Sequence, residues 1–146
     1  MSKGRTVSPK LQQRFDEYEL HHQNPRNKRT HLFGIPMIVV SILGILARFS
    51  IGHSFNYGLL LLVLSLAWYF SQDRRMAFYL FFPLLFSYVI GALLLPLWLL
   101  VFLFVGGWII QYVGHLRYEG KNPAFYQNLQ HLLVGPAWVF RQIFLR

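Results

Sequence analysis

Four long apolar blocks, Leu32–Ala47, Tyr57–Ser71, Met76–Leu95 and Pro96–Val113, fill most of the middle of this chain. They are apolar along their length and not along one face, the pattern of segments surrounded by apolar material. Each is roughly 15–20 residues, about the length a helix needs to cross ~30 Å of hydrocarbon. A chain of 146 residues that is 55% hydrophobic has too little interior to hide so much apolar surface. The expected fold is therefore an all-α polytopic membrane bundle forming one domain over 1–146. About four transmembrane helices are predicted, at 32–51, 57–71, 76–95 and 96–114, with an amphipathic helix at 8–23 and interfacial helices at 122–146. The second block is short enough to be re-entrant instead of spanning. About thirty polar residues precede the first, so it does not read as a cleaved signal peptide.

The formal charge of +9 and a pI near 10.3 raise the question of nucleic acid. Here the bases flank apolar spans, which suits anionic lipid headgroups, and no nucleic-acid partner is expected. Their distribution also orients the chain. With four crossings and both termini cytoplasmic, all but Arg48 of the 14 lysines and arginines fall on the inner side, as the positive-inside rule asks. The expected location is a multi-pass position in a bacterial inner membrane or the endoplasmic reticulum. Cysteine is absent, which excludes disulfides, thiolate metal sites and a cysteine nucleophile.

That topology sorts the six histidines. His53 falls on the far side and reads as a plain loop residue. The others gather at the cytoplasmic boundary, in "HHQNPRNKRTHLFGIP" before the first span and after the fourth. Ser8 and Pro9 read as the cap and first residue of a helix. Leu11, Phe15, Tyr18 and His22 then form one stripe of it, with His21 turned about 100° away. Asn24-Pro25 should break this helix. After the fourth span, Gln111, His115 and Glu119 are spaced i, i+4, i+8 on one helical face. Gly120 is a plausible stop, and Asn122-Pro123 read as the start of a further helix carrying His131, interrupted by Gly135-Pro136. His22, His31, His115 and His131 thus reach one membrane face from two distant stretches of chain. Neutral imidazole is the commonest transition-metal ligand and suits iron, zinc, copper and nickel. Asn24, Asn27, Gln111 and Glu119 are the local groups placed to orient such ligands. Arg26, Lys28 and Lys121 could hold a substrate carboxylate.

Each of these features also has a plainer interpretation. A single histidine at a membrane interface is more often a headgroup contact than a ligand, and neither HExxH nor HxH is present. Glu119 alone would pair with Arg117 or Lys121. Trp68, Trp98, Trp108 and Trp138 read as interface anchors or lipid-facing bulk, and Asp16, Glu17 and Glu19 as a solvated face. Gly106-Gly107, deep in an apolar block, read as a close helix contact. The GxSxG elbow, the Walker loop and the dinucleotide fingerprint are absent. A non-enzymatic lipid-binding or assembly protein, or a zinc-dependent membrane hydrolase, would explain the same histidines.

Four motifs go further. The chain carries HxNPxNxxxH from His22 to His31, then Gly34-Ile35-Pro36. GWxxQxxGHxxxEGxxPA follows from Gly107 to Ala124, and NLxxxLxxP from Asn128 to Pro136. It resembles, over roughly Tyr18 to Phe140, a family of small membrane proteins that includes the fungal 2-hydroxy fatty acid dioxygenase. The resemblance implies an iron(II)-dependent enzyme that shortens a long-chain 2-hydroxy fatty acid by one carbon, consuming O2 and releasing CO2. It places His22, His31 and His115 on the family histidines. His131 falls where members have histidine or glutamine. Six residues after Pro136 many members carry glutamate, and this chain carries Gln142. The implied cofactor is Fe(2+), with membrane lipids around the protein and the acyl tail among its helices.

Overall fold

Ser8 and Pro9 open the first helix, α1 (Pro9–Leu20), in a computed structural model that describes residues 7–145. The Ser8 hydroxyl accepts from the Leu11 N–H, and Pro9 takes the first helical position, where a missing N–H costs nothing. The stripe of Leu11, Phe15, Tyr18 and His22 is buried, as its spacing demands. Polar contacts at its start fix the helix in place. The Ser8 N–H donates to the Asp73 carboxylate, Ser8 Oγ to the Gln72 carbonyl at 2.7 Å, and Arg14 Nε to Gln72 Oε1 at 2.9 Å. Lys3, Arg5 and Arg146, which entered the charge argument, lie outside the described residues.

Asn24 caps α2 (Pro25–Leu46), accepting from the Arg26 N–H at 2.9 Å. This helix begins before its apolar block, so His31 sits within it and not at its mouth. It also stops earlier than 51. Beyond Leu46 the chain turns into a small hairpin of β1 (Ser50–Ile51) against β2 (Phe55–Asn56), with Gly52 at φ 67 in the turn. Hairpin formation satisfies backbone groups that a polar "RFS" stretch would otherwise leave at a helix end. His53 is exposed in that turn. Asn56 then caps α3 (Tyr57–Gln72) through Leu59 N–H, and Asp73 caps α4 (Arg74–Val89) through Met76 N–H. α4 continues as a π turn, Ile90–Leu94, and α5 (Leu97–Val113) continues as another, Gly114–Glu119.

Three of these helices are long and apolar enough to cross a membrane: Pro25–Leu46, Arg74–Leu94 and Leu97–Glu119. At 16 residues α3 is shorter, about 24 Å by helical rise. Phe33, Phe78, Phe82, Phe86, Trp98 and Phe102 project outward, each more than half exposed. Such a surface would aggregate in water and is at home against acyl chains. The protein is an all-α membrane helical bundle, with α1 and the last helix, α6 (His131–Phe144), packed beside the spans.

α2 is the axis of the bundle, and small residues let its neighbours close on it. A Cβ on Gly107 would lie 2.7 Å from Ile38 Cγ1 and 3.0 Å from the Gly34 carbonyl oxygen. One on Gly114 would lie within 2.4 Å of the side-chain oxygens of both Thr30 and Asn27. Gly107 thus makes the close contact expected of it. Arg48, the one base assigned to the far side, turns back to donate to the Leu95 carbonyl at 2.6 Å. It caps carbonyls that the π turn leaves open.

The C-terminal segment departs from expectation. Gly120 does stop the helix, at φ 63. Asn122-Pro123, however, lead only into a 3₁₀ turn, Ala124–Tyr126, and the last helix, α6 (His131–Phe144), starts later. Gly135-Pro136 do not interrupt it. Val134, Ala137 and Trp138 are wholly buried on one face, and that packing holds the helix through the proline. Trp138 is therefore not an interface anchor. Its Nε1 donates to Glu19 Oε1 at 3.0 Å, which also removes Glu19 from the solvated face.

Candidate metal centre

Three segments deliver the histidines. His22 follows the end of α1, and its ring stacks on Tyr18 at 3.9 Å and 15°. Its Nδ1 meets the Tyr18 carbonyl at 2.6 Å, the i−4 partner that the α1 stripe supplies. His31, in α2, repeats the device with its Nδ1 2.9 Å from the Asn27 carbonyl. His115 is brought inward by the π turn after α5. All three are almost fully buried.

Their remaining nitrogens converge. His22 Nε2 lies 3.0 Å from His31 Nε2, and His115 Nε2 lies 3.1 Å from the same atom. A carbonyl oxygen only accepts, so the protons of His22 and His31 sit on Nδ1, and their Nε2 lone pairs face each other. Lone pairs at that distance repel unless a proton or a cation lies between them. A proton is disfavoured: burial first, then the neighbouring His31, lowers the His22 pKa from 6.5 to about 2. A metal ion resolves the conflict. Metal–nitrogen bonds of ~2.1 Å set cis ligands about 3.0 Å apart, the spacing seen here. The three residues offer nitrogens all within 4.8 Å of one another, a group that can hold one metal ion.

The burial of His22 has a consequence for acid stability. In the unfolded chain the imidazole takes up a proton below pH 6.5, and the buried ring does not until about 2. Stability should thus fall as pH drops through that window, by up to ~1.4 kcal/mol per unit for this one group. Chemical denaturation of the metal-stripped protein in detergent at pH 7 and pH 5 measures it. His22→Gln should reduce the dependence.

The other expected residues are placed as follows. His131, at the start of α6, stands edge-on to Tyr18 at 5.7 Å and lines the same cavity without joining the converged nitrogens. Asn27 orients His31 through its backbone carbonyl, while its side chain donates to Glu119 Oε1 at 3.1 Å. Asn24 gives its backbone N–H to the same oxygen at 2.8 Å. Glu119 thus ties the end of α5 to the start of α2, with these asparagines as its hydrogen-bond partners in place of the basic residues considered from sequence. Gln111 lines the cavity, its Nε2 buried with no hydrogen-bond partner. Arg26, Lys28 and Lys121 do not line it, and Arg26 lies over the Tyr118 ring at 5.9 Å. Tyr18 is the residue that sequence reasoning left without a role. Its position four before His22 on the buried stripe was the available signal.

The histidines line a cavity of about 80 Å³ whose other walls are mainly apolar, among them Ile35, Ile38, Trp108 and Phe125. A cluster of imidazoles in the wall of an apolar hollow suits a ligand with one polar end. Comparison with known proteins agrees. A family model described as 2-hydroxy-palmitic acid dioxygenase Mpo1-like matches residues 8–146. The chain belongs to the Mpo1-like family. It is 31% identical over 139 residues to the 2-hydroxy-palmitic acid dioxygenase MPO1 of Saccharomyces cerevisiae, an alignment covering 84% of this chain and 72% of the yeast protein. No solved structure matches. The Mpo1-like family description names a 2-hydroxy-palmitic acid dioxygenase, and the three buried histidines form a group that could hold a metal ion.

Proposed function

We propose that this protein is an iron(II)-dependent dioxygenase that shortens long-chain 2-hydroxy fatty acids by one carbon. One 2-hydroxypalmitate and one O2 would give pentadecanoate, CO2 and water, with the C1–C2 bond cleaved. The observation that carries the proposal is the meeting of three Nε2 atoms above an apolar cavity in a member of this family. His22, His31 and His115 would hold the metal through their Nε2 atoms, an all-imidazole donor set that suits iron(II). Iron(II) supplies the redox chemistry that lets O2 react with the acid.

The remaining work falls to the protein. The Tyr18 and Asn27 carbonyls keep two imidazoles in the tautomer that presents Nε2. Gln111 Nε2 is a free donor for a substrate oxygen at the cavity wall. The mainly apolar cavity walls would limit water at the reacting end. His131, at the cavity wall edge-on to Tyr18, would stay outside the ligand set. Arg26, Lys28 and Lys121 then act at most on the approach of the acid from outside. The basic flanks support an orientation with this site on the cytoplasmic side.

Detergent-purified protein should contain close to one iron per chain, lost in His22→Ala and His115→Ala and kept in His53→Ala. Loaded with iron(II) and given O2, it should convert 2-hydroxypalmitate to pentadecanoate with equimolar CO2. Stoichiometric zinc and no pentadecanoate would reject the proposal in favour of metal-dependent hydrolysis. Chelation before the assay should abolish product, and iron(II) should restore it where zinc does not.

A further inference from the structure

A second hollow of about 140 Å³ lies between α2, α4 and α6. It shares Ile35, Val39 and Pro136 with the histidine cavity, so the two are neighbours with these side chains between them. The three prolines within helices, Pro36, Pro83 and Pro136, each line this cleft, one from each wall. Proline removes a helical N–H and its ring pushes against the carbonyl of the preceding turn, which holds a helix open locally. The polar side chain in the lining is Ser87, and its hydroxyl already donates to the Pro83 carbonyl at 2.8 Å. Nothing in the side-chain lining asks for a polar ligand. At the outer end Ile143 and Phe144 are more than half exposed, on a surface that faces lipid.

The histidine cavity, at about 80 Å³, holds a few waters' worth of volume. It takes the polar end of a 2-hydroxy acid and little of its tail. We infer that the cleft between α2, α4 and α6 is the acyl-chain channel, which receives the tail of the substrate from the bilayer and leads its head to the histidines. The identity of the chain as a 2-hydroxy acyl tail rests on the proposed function, whereas the channel itself rests on the adjacent hollows and their shared wall. A wider groove runs along the outside of α5, but it touches the histidine cavity through Trp108 alone. It is lipid-facing surface.

Two experiments on the full chain in phospholipid nanodiscs test this. Ser87→Phe fills the cleft from α4, and Ile109→Phe alters the outer groove of α5. Ser87→Phe should lower kcat/KM for 2-hydroxypalmitate at least tenfold more than for 2-hydroxyoctanoate, while Ile109→Phe leaves that ratio unchanged. Equal losses on both substrates, or the reverse pattern, would overturn the channel. The second needs no turnover. 2-Hydroxypalmitate with a mid-chain diazirine is photolysed and its adducts mapped by mass spectrometry. They should fall on Leu80, Leu84 and Phe140. Adducts on Phe104 and Tyr112, or spread evenly over the lipid-facing helices, would refute it. Labelling of the cleft by a wild-type protein that turns over no 2-hydroxy acid would keep the channel and discard the proposed function.

Discussion

His31→Ala should abolish both metal and turnover, and it should do so more completely than either neighbouring substitution. His31 Nε2 is the atom that both other imidazoles approach, at 3.0 and 3.1 Å. With it gone, His22 and His115 remain as two ligands on different helices, with the common contact removed. A loss of turnover on the order of a thousandfold or more is expected, about 4 kcal/mol of transition-state stabilisation. The fold should survive, because His31 is one residue of a long helix whose packing rests on other side chains. Iron content by mass spectrometry, together with circular dichroism and gel filtration, separates the two. Retention of near-stoichiometric iron in this variant would show that the three imidazoles do not act as one site.

Gly114→Val should disable the same site without removing a ligand. A Cβ there would lie within 2.4 Å of the Thr30 hydroxyl and the Asn27 amide oxygen, much closer than real contacts allow. Overpacking of this kind typically costs about 1–3 kcal/mol, and the larger valine side chain belongs at the upper end. The relief is for the end of α5 to move away from α2, which carries His115 from His31 and strains the Glu119 bonds to Asn24 and Asn27. Iron affinity should fall at least tenfold with all three histidines present, as it does when groups that position ligands are lost. Gly106→Val is the control. A Cβ there meets only the flexible end of Met37, at 3.4 Å, so binding should change little. Equal metal affinity in the two variants would contradict this account.

What the sequence revealed followed from strong local periodicities. The i, i+4, i+7, i+11 spacing of Leu11, Phe15, Tyr18 and His22 fixed which histidine of the pair turns inward, and the helix follows it. The apolar blocks made a membrane bundle the expected fold. Charge bias put His22, His31, His115 and His131 on one face; among the described residues the first three converge, and His131 stands at the cavity wall. Other features had no periodic signature. The π turn at Gly114–Glu119 depends on a hydrogen-bond register that residue types do not reveal. Trp138 looked like an anchor because aromatic residues near a bilayer usually are, and only tertiary packing shows Glu19 waiting for its indole N–H. Glu119 had basic neighbours in sequence, but its partners came from Asn24 and Asn27, far back along the chain. The late start of α6 is the same lesson in reverse. Local helix signals at Asn122-Pro123 yielded to a turn that delivers His131 to the cavity wall.

One of the three imidazoles, His22, follows a helix of 12 residues, too short to cross the bilayer. α1 sits beside the spans, pinned at its start by Asp73 and Gln72 and at its side by Trp138. The centre is therefore complete only while this segment is seated against His31 of α2. Unseating α1 would withdraw one ligand and leave both spanning helices where they are. An ion could then leave and return in the assembled bundle, which is what chelation and reloading require.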